Sequence, residues 1–143
     1  MNETELKRLC EVKCFLLDMD GTIYLGNRLF DGTIDFLNYL KDTGRNFLFL
    51  TNNSSKDSNH YVAKLKRLGI EVTNDDVLTS GEATVSYLDA QKPGARVYLL
   101  GTPELESEFK AWGFTLTDEN PDYVVLGFDM TLTYQKLVTA CNL

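Results

Sequence analysis

The chain has 143 residues, 43% of them hydrophobic and 11% aromatic, which is enough apolar material for the core of a globular domain. Its 21 acidic and 14 basic residues give a formal net charge of -7, which argues against nucleic acid as a partner. No apolar stretch approaches the ~20 residues of a membrane-spanning helix, and the first residues do not resemble a signal peptide, so we expect a cytoplasmic protein with no membrane partner.

Apolar runs and helical stripes alternate along the first part of the chain. Lys13–Leu17 is a continuous apolar run closed by Asp18, which predicts a parallel strand buried on both faces. A helix capped by Asp31, a second buried strand over Asn46–Leu50 and a helix that ends at Gly69 follow. Each of the two predicted strands is therefore followed directly by polar residues.

The same alternation continues beyond residue 70, with one break at Lys92-Pro93-Gly94. The predicted elements are a strand at Val77–Thr79, a helix over 81–91, a strand at Arg96–Leu100, a helix begun by Thr102 and Pro103, a strand at Tyr123–Gly127 and a helix over Thr133–Leu143. This order predicts an α/β fold with an open, doubly wound parallel sheet. The break predicts a domain boundary, with residues 1–91 before it and 92–143 after it.

Two carboxylates, Asp18 and Asp20, stand two residues apart after the first strand. In an extended backbone both point to one side, while Met19 faces the other. Asp20 could simply complete an Asp-Gly turn, but two unpaired charges at the end of a buried strand favour a neutralising cation. Magnesium prefers such oxygen ligands, so the pair predicts a site where Asp18 attacks phosphorus and Asp20 acts as acid and base.

Hydroxyl and amide donors follow the second strand at Thr51, Asn52 and Asn53. Such donors suit the oxygens of a transferred phosphoryl group, and Gly21 lets the backbone approach the phosphate closely. The carboxyl ends of neighbouring parallel strands meet at one edge of a sheet, so we expect Asp18 and Thr51 to lie close enough to share one phosphate. A polar loop without such a role remains the alternative for Asn-Asn-Ser-Ser alone.

Together, D-M-D-G-T at 18–22 and T-N-N-S-S at 51–55 resemble the first and second motifs of haloacid dehalogenase-like phosphatases, most closely the nitrophenylphosphatase-like and NagD-like subfamily. Residues 79–84 and 127–134 extend the resemblance over nearly the whole chain. It implies that residues 1–91 form the first part of a Rossmann-like core and that residues 92–143 form the first part of an inserted α/β cap.

The resemblance also implies a function, the hydrolysis of a small phosphate monoester through a phosphorylated aspartate. Asp18 would be the nucleophile and Asp20 the acid/base, and magnesium would be held by Asp18 and by the main-chain carbonyl of Asp20. The phosphate would be bound by Gly21 and by the second-motif residues Thr51, Asn52 and Asn53.

The family's third-motif lysine and fourth acidic motif lie further along than this chain extends, so the resemblance implies an incomplete site. Lys56 and Asp129 are the nearest candidates to replace them, and we expect both to be poor ones. A catalytically idle fragment, or a module that binds phosphate and magnesium, therefore stays open as the alternative function. Unfinished strand edges also lead us to expect self-association through the cap or the sheets.

Overall fold

The computed structural model describes residues 2–143. Each strand and helix that the sequence predicts is present, and the structure adds a helix at Glu3–Glu11, two short strands within 24–29 and a short strand at Thr115–Leu116. The elements are α1 (Glu3–Glu11), β1 (Cys14–Asp18), β2 (Tyr24–Leu25), β3 (Arg28–Leu29), α2 (Thr33–Asp42), β4 (Asn46–Thr51), α3 (Ser58–Arg67), β5 (Val77–Thr79), α4 (Ser80–Gln91), β6 (Arg96–Leu100), α5 (Pro103–Ala111), β7 (Thr115–Leu116), β8 (Tyr123–Leu126) and α6 (Tyr134–Asn142). No helix of this part of the chain is long and apolar enough to cross a membrane.

The strands form two three-stranded sheets, with the orders β1-β4-β5 and β7-β6-β8. β1 pairs with β4 in parallel, and β6 pairs in parallel with both β7 and β8. Parallel neighbours need long crossover connections, and helices supply them here. A separate antiparallel hairpin of β2 and β3 follows the first motif. The predicted α/β fold with parallel sheets is confirmed.

The described residues form two compact units. The first unit comprises the residues up to Leu50 together with Val62–Val77, and the second comprises Thr51–Tyr61 and Leu78–Leu143. The largest fully buried side chains of the first unit are Met19, Tyr24, Leu40, Phe49 and Leu65. The second unit has its own core, which includes Val85, Leu88, Val97, Phe109 and Phe114. A boundary between a catalytic core and a cap after residue 91 remains a prediction.

Two expectations about local structure are wrong. β1 is not buried on both faces: Phe15 is half-buried and packs edge-on against Phe36 of α2, with ring centroids 5.9 Å apart, whereas Leu16 on the other face is 64% exposed. Asp31 does not cap α2, because Gly32, with φ +81°, occupies the N-cap position. The start of α2 is instead tied to the first unit by Thr33, whose buried hydroxyl donates to the carbonyl of Ile23 at 3.2 Å.

Candidate functional site

Asp18 ends β1, and Asp20 follows it by two residues. Both are exposed, whereas Met19 between them is fully buried, so the predicted alternation is observed. Thr22 Oγ1 donates a long hydrogen bond of 3.5 Å to Asp18 Oδ2, and no ion pair among residues 2–143 includes either aspartate. Hard oxygen donors that no cation of the described chain accompanies fit part of a magnesium shell.

The backbone after Asp18 is held by a turn that we call the aspartate turn, residues 18–24. The carbonyl of Met19 accepts the N–H groups of Thr22, Ile23 and Tyr24 at 3.3, 2.9 and 3.2 Å. Gly21 donates its N–H to the carbonyl of Tyr24 at 2.8 Å and has φ +88°, a conformation that side chains with a Cβ rarely adopt. The turn is therefore specified by local hydrogen bonds and by one glycine.

The second motif follows the strand next to β1. Asp18 pairs in register with Leu50, and Thr51 is the next and last residue of β4. The two motifs thus end adjacent parallel strands, as predicted from the alternation of elements. How closely the side chains of Asp18 and Thr51 approach each other remains a prediction.

We call residues 51–56 the second-motif loop. Asn53 N donates to Thr51 Oγ1 at 3.2 Å, and Ser55 N donates to Asn53 Oδ1 at 3.0 Å. These side-chain oxygens organise the loop itself, in the manner of short side-chain-to-backbone turns. The hydroxyl proton of Thr51 and the Nδ2 group of Asn53 take no part in these bonds, and Asn52 is exposed. The donors that the sequence singles out are thus set on a structured loop.

Two buried residues of this loop were missed by sequence reasoning. Ser54 is 7% exposed and its Oγ accepts the N–H of Phe128 at 2.8 Å, while the carbonyl of Ser55 accepts the Thr102 hydroxyl at 3.2 Å. The only signal in the sequence was that residues 127–134 resemble the same family as the loop. Nothing in the spacing of these residues indicates that they meet.

Lys56 and Asp129, the candidates to replace the absent motifs, are engaged in internal ion pairs. Lys56 Nζ lies 2.6 Å from Glu104 Oε1, and its hydrogen bond lowers the pKa of that carboxyl. The enclosed carboxylate of Asp129 accepts Lys136 Nζ at 2.8 Å and both the N–H and hydroxyl of Thr131 at 2.7 and 2.6 Å. Burial alone would raise the pKa of Asp129, but these hydrogen bonds outweigh it and hold the pKa below its usual value.

The acidic side chains of the described chain do not assemble a larger metal site. Among residues 2–143 no group of three or more His, Cys, Asp or Glu side chains is placed to hold an ion. Within the described residues the aspartate turn therefore supplies at most part of a magnesium shell.

The sequence did not predict a pair of acidic side chains in the second unit, Glu82 of α4 and Glu108 of α5. Burial, with the nearby charges of Glu82 and Asp57, raises the pKa of Glu108 to about 7. One carboxylate oxygen of Glu82, Oε2, is enclosed and has no hydrogen-bond partner among the described residues. The α4–α5 contact therefore holds two acids, Glu82 and Glu108, whose negative charges repel each other.

The comparisons with known proteins match this fold and these motifs. The model of the haloacid dehalogenase-like hydrolase family matches residues 15–115. The chain is 42% identical over 129 residues to an acid sugar phosphatase of Staphylococcus saprophyticus, a match that covers 90% of this chain and 50% of that protein. It thus spans about half the length of the curated relatives it matches.

Two solved structures show the same likeness. The 4-nitrophenylphosphatase of Thermotoga maritima superposes with a TM-score of 0.89 at 47% identity, over 94% of this chain and 51% of that one. The glycerol phosphate phosphatase of Mycobacterium tuberculosis, in complex with magnesium, gives a TM-score of 0.82 at 34% identity, over 93% of this chain and 41% of that one. The same phosphatase has also been solved in complex with calcium.

Proposed function

Because the chain belongs to the haloacid dehalogenase-like hydrolases, and within them to the nitrophenylphosphatase-like and NagD-like subfamily, we propose that it carries the nucleophile of a magnesium-dependent phosphatase. The observation that carries the proposal is the aspartate turn, which exposes Asp18 and Asp20 around the buried Met19 at the end of β1. The names of the relatives support a small phosphate monoester as the substrate, such as a sugar phosphate or glycerol phosphate.

In this proposal an oxygen of Asp18 attacks phosphorus as the bond to the leaving oxygen breaks, and Asp20 donates its proton to that oxygen. The alcohol leaves, and the phosphoryl group stays on Asp18. Asp20, now ionised, takes a proton from water, whose oxygen attacks the phosphoaspartate. Phosphate departs, the Asp18 carboxylate is restored, and Asp20 is protonated for the next cycle.

The phosphoryl oxygens would be held by the Thr51 hydroxyl, the amide groups of Asn52 and Asn53, and the backbone near Gly21. Preorganised donors of this kind usually make the largest single contribution to stabilising the transition state of phosphoryl transfer. Magnesium, when bound by Asp18 and the carbonyl of Asp20, would supply charge neutralisation. The magnesium complex of the Mycobacterium tuberculosis relative supports this choice of metal.

The test is to join this chain to the part of the Staphylococcus saprophyticus relative that lies beyond the match. The fusion, assayed with magnesium on p-nitrophenyl phosphate, should release nitrophenol and should lose this activity when magnesium is chelated. Borohydride reduction during turnover, followed by mass spectrometry, should label the peptide that contains Asp18. An active fusion that is labelled at another residue would contradict the proposed nucleophile.

A second candidate function is a module that binds magnesium and phosphate without turnover. It is favoured by the internal pairs of Lys56 and Asp129, since neither side chain is left to complete the site. An oxyanion donor that is absent typically costs about 10²–10³-fold in rate, so we expect the 143-residue chain alone to hydrolyse p-nitrophenyl phosphate far more slowly than the fusion. Equal rates for the two would remove this candidate.

Self-association also remains a proposal. The second unit exposes large apolar side chains in and after β8, among them Leu126 at 66% and Met130 at 73%, and β8 lies at one end of its sheet order. Exposed edges with apolar side chains favour pairing with another chain. Sedimentation velocity of the chain over a range of concentrations would detect it, and a constant monomer mass would exclude it.

A further inference from the structure

Five consecutive residues of the second-motif loop, 52–56, are each hydrogen-bonded to a different residue of the second unit. Three of these bonds reach backbone carbonyls of the loop: Ser80 Oγ donates to Asn52 at 3.0 Å, Tyr61 Oη to Asn53 at 3.2 Å, and Thr102 Oγ1 to Ser55 at 3.2 Å. The other two are made by side chains of the loop. Ser54 Oγ accepts from Phe128 N at 2.8 Å, and Lys56 Nζ donates to Glu104 at 2.6 Å. Surface loops usually satisfy most such groups with water. The backbone of this loop is instead fixed by elements before and after β6.

Ser54 and Thr102 are the enclosed side-chain links in this set, and Ser54 is the one that belongs to the loop itself. The Ser54 hydroxyl oxygen accepts the N–H of Phe128, two residues beyond the end of β8, at 2.8 Å. A Cβ at Gly127 would lie 3.0 Å from Ser54 Oγ and 2.6 Å from Leu105 Cδ2, so glycine at this position is what allows the close approach. The end of β8 and the loop are therefore in direct contact.

The first turn of α5 is fixed in the same way. The Leu105 side chain is 3% exposed and lies against three glycines, because a Cβ at Gly81, Gly101 or Gly127 would come within 2.7, 2.8 or 2.6 Å of its methyl groups. Thr102 caps this turn, with its Oγ1 accepting Leu105 N at 3.4 Å, and also donates to the carbonyl of Ser55. The turn that contacts the loop therefore cannot shift without disturbing tight packing.

We propose that Ser54 is a positioning residue, whose bond to the end of β8 sets the orientation of the Thr51 and Asn53 donors toward phosphate. The role in phosphate binding rests on the proposed function. Asn53 and Ser55 on either side of Ser54 make the bonds that shape the loop, so release of Ser54 loosens both. A displacement of about 1 Å in a positioned group can cost roughly 10²-fold in rate.

The first test needs no ligand. In Ser54→Ala, amide hydrogen exchange at Asn53, Ser55 and Phe128, followed by NMR, should accelerate by about tenfold or more, because one buried hydrogen bond is lost and local opening becomes easier. The matched control is Ser107→Ala, which removes a serine hydroxyl that donates to the carbonyl of Pro103 within α5 at 2.9 Å. Equal exchange at the three amides in both variants would overturn the positioning role.

The second test titrates the same proteins with inorganic phosphate in the presence of magnesium. Ser54→Ala should bind phosphate at least about fivefold more weakly than the parent chain and Ser107→Ala, in line with misplaced donors. Equal affinity in Ser54→Ala and its control would overturn the inference. If the parent chain itself shows no response to phosphate at any concentration, the proposed function fails for this chain, and the exchange experiment alone decides whether Ser54 positions the loop.

Discussion

The aspartate turn and the second-motif loop carry the two halves of the proposed site, and they are stabilised in opposite ways. The aspartate turn is closed by Met19, whose carbonyl accepts three N–H groups within five residues, and by the positive φ of Gly21. The second-motif loop is held from a distance, and its bond from Phe128 to Ser54 spans 74 residues. Local chemistry thus specifies the turn that holds the proposed nucleophile, whereas the loop that holds the proposed phosphate donors depends on the packing of the second unit.

The largest effect should come from the aspartate turn. In the fusion with the relative, Asp18→Asn should abolish turnover, because no carboxylate is left to accept the phosphoryl group. Asp20→Asn should lower the rate by roughly 10²–10⁴-fold on alkyl phosphates and by less on p-nitrophenyl phosphate, whose leaving group needs no proton. Steady-state rates on the two classes of ester measure the difference.

The control for this prediction is Asp118→Asn, since Asp118 is exposed and lies outside the proposed site. It should retain the rate of the parent fusion. The same residual rate for Asp18→Asn and Asp20→Asn on both esters would show that the two carboxylates do not have separate roles.

The next largest effect concerns the packing that supports the second-motif loop. Leu105→Ala should lower the free energy of unfolding by about 2–5 kcal/mol, as expected for a buried leucine, and Gly127→Ala by about 1–3 kcal/mol through overpacking against Leu105. Because the truncated side chain leaves room for the added Cβ, the double variant should be less destabilised than the sum of the two. Urea unfolding of the four proteins gives this coupling, and strict additivity would contradict the contact.

Sequence reasoning located the elements whose signals are local. Thr102 as cap and Pro103 as the first residue of α5 were predicted correctly, as was the strand Arg96–Leu100. α1 is the exception and was missed, although Asn2 and Glu5 form a capping box at its start and Leu6 and Leu9 recur at the spacing of a helical face. The local signal for this helix was present in the sequence, and in the structure its apolar positions stay exposed.

In the proposed site, too, features specified by neighbouring residues could be predicted, whereas contacts between distant residues could not. Asp18 and Asp20 could be selected because their alternation with Met19 is a property of three adjacent residues. The contact of Ser54 with Phe128 could not be found, because no pattern within one sequence relates two residues so far apart. The exposure of Leu16 was also unpredictable, since an apolar run reports that a strand is suited to burial and does not report whether both faces are covered.

A smaller effect tests how strictly the aspartate turn depends on its glycine. Gly21→Val should destabilise the chain by about 1–3 kcal/mol, because a β-branched residue is strained at φ +88°. Gly21→Asn should cost less, since asparagine tolerates positive φ better. Thermal unfolding measures both variants, and an equal loss for the two would mean that the positive φ of Gly21 does not set the cost of the substitution.

The smallest expected effect is a pH dependence confined to the second unit, at Glu108. Its pKa is raised from 4.5 to about 7 by burial and by the charges of Glu82 in α4 and Asp57 ahead of α3. As the pH rises above 4.5 the unfolded chain loses this proton first, so the folded chain binds more protons between about pH 4.5 and 7, and its stability must fall over that interval. Below pH 4.5 and above pH 7 this group contributes no further slope.

Glu108→Gln should remove this loss of folding stability between about pH 4.5 and 7, because an amide of similar shape stays neutral at every pH. The full shift would correspond to roughly 3 kcal/mol, but Glu108 is only half-buried, and solvent screening reduces the expected gain of the variant at pH 8 to about 1 kcal/mol. Urea unfolding between pH 4.5 and 8 measures it, with the neighbouring Glu106→Gln as control, since Glu106 pairs with Lys110 on the exposed side of α5. The Glu106→Gln curve should run parallel to that of the parent chain, whereas the Glu108→Gln curve should meet the parent near pH 4.5 and rise above it toward pH 8. Parallel curves for Glu108→Gln and the parent would mean that the carboxyl turns to solvent and that the α4–α5 contact carries no buried charge at neutral pH.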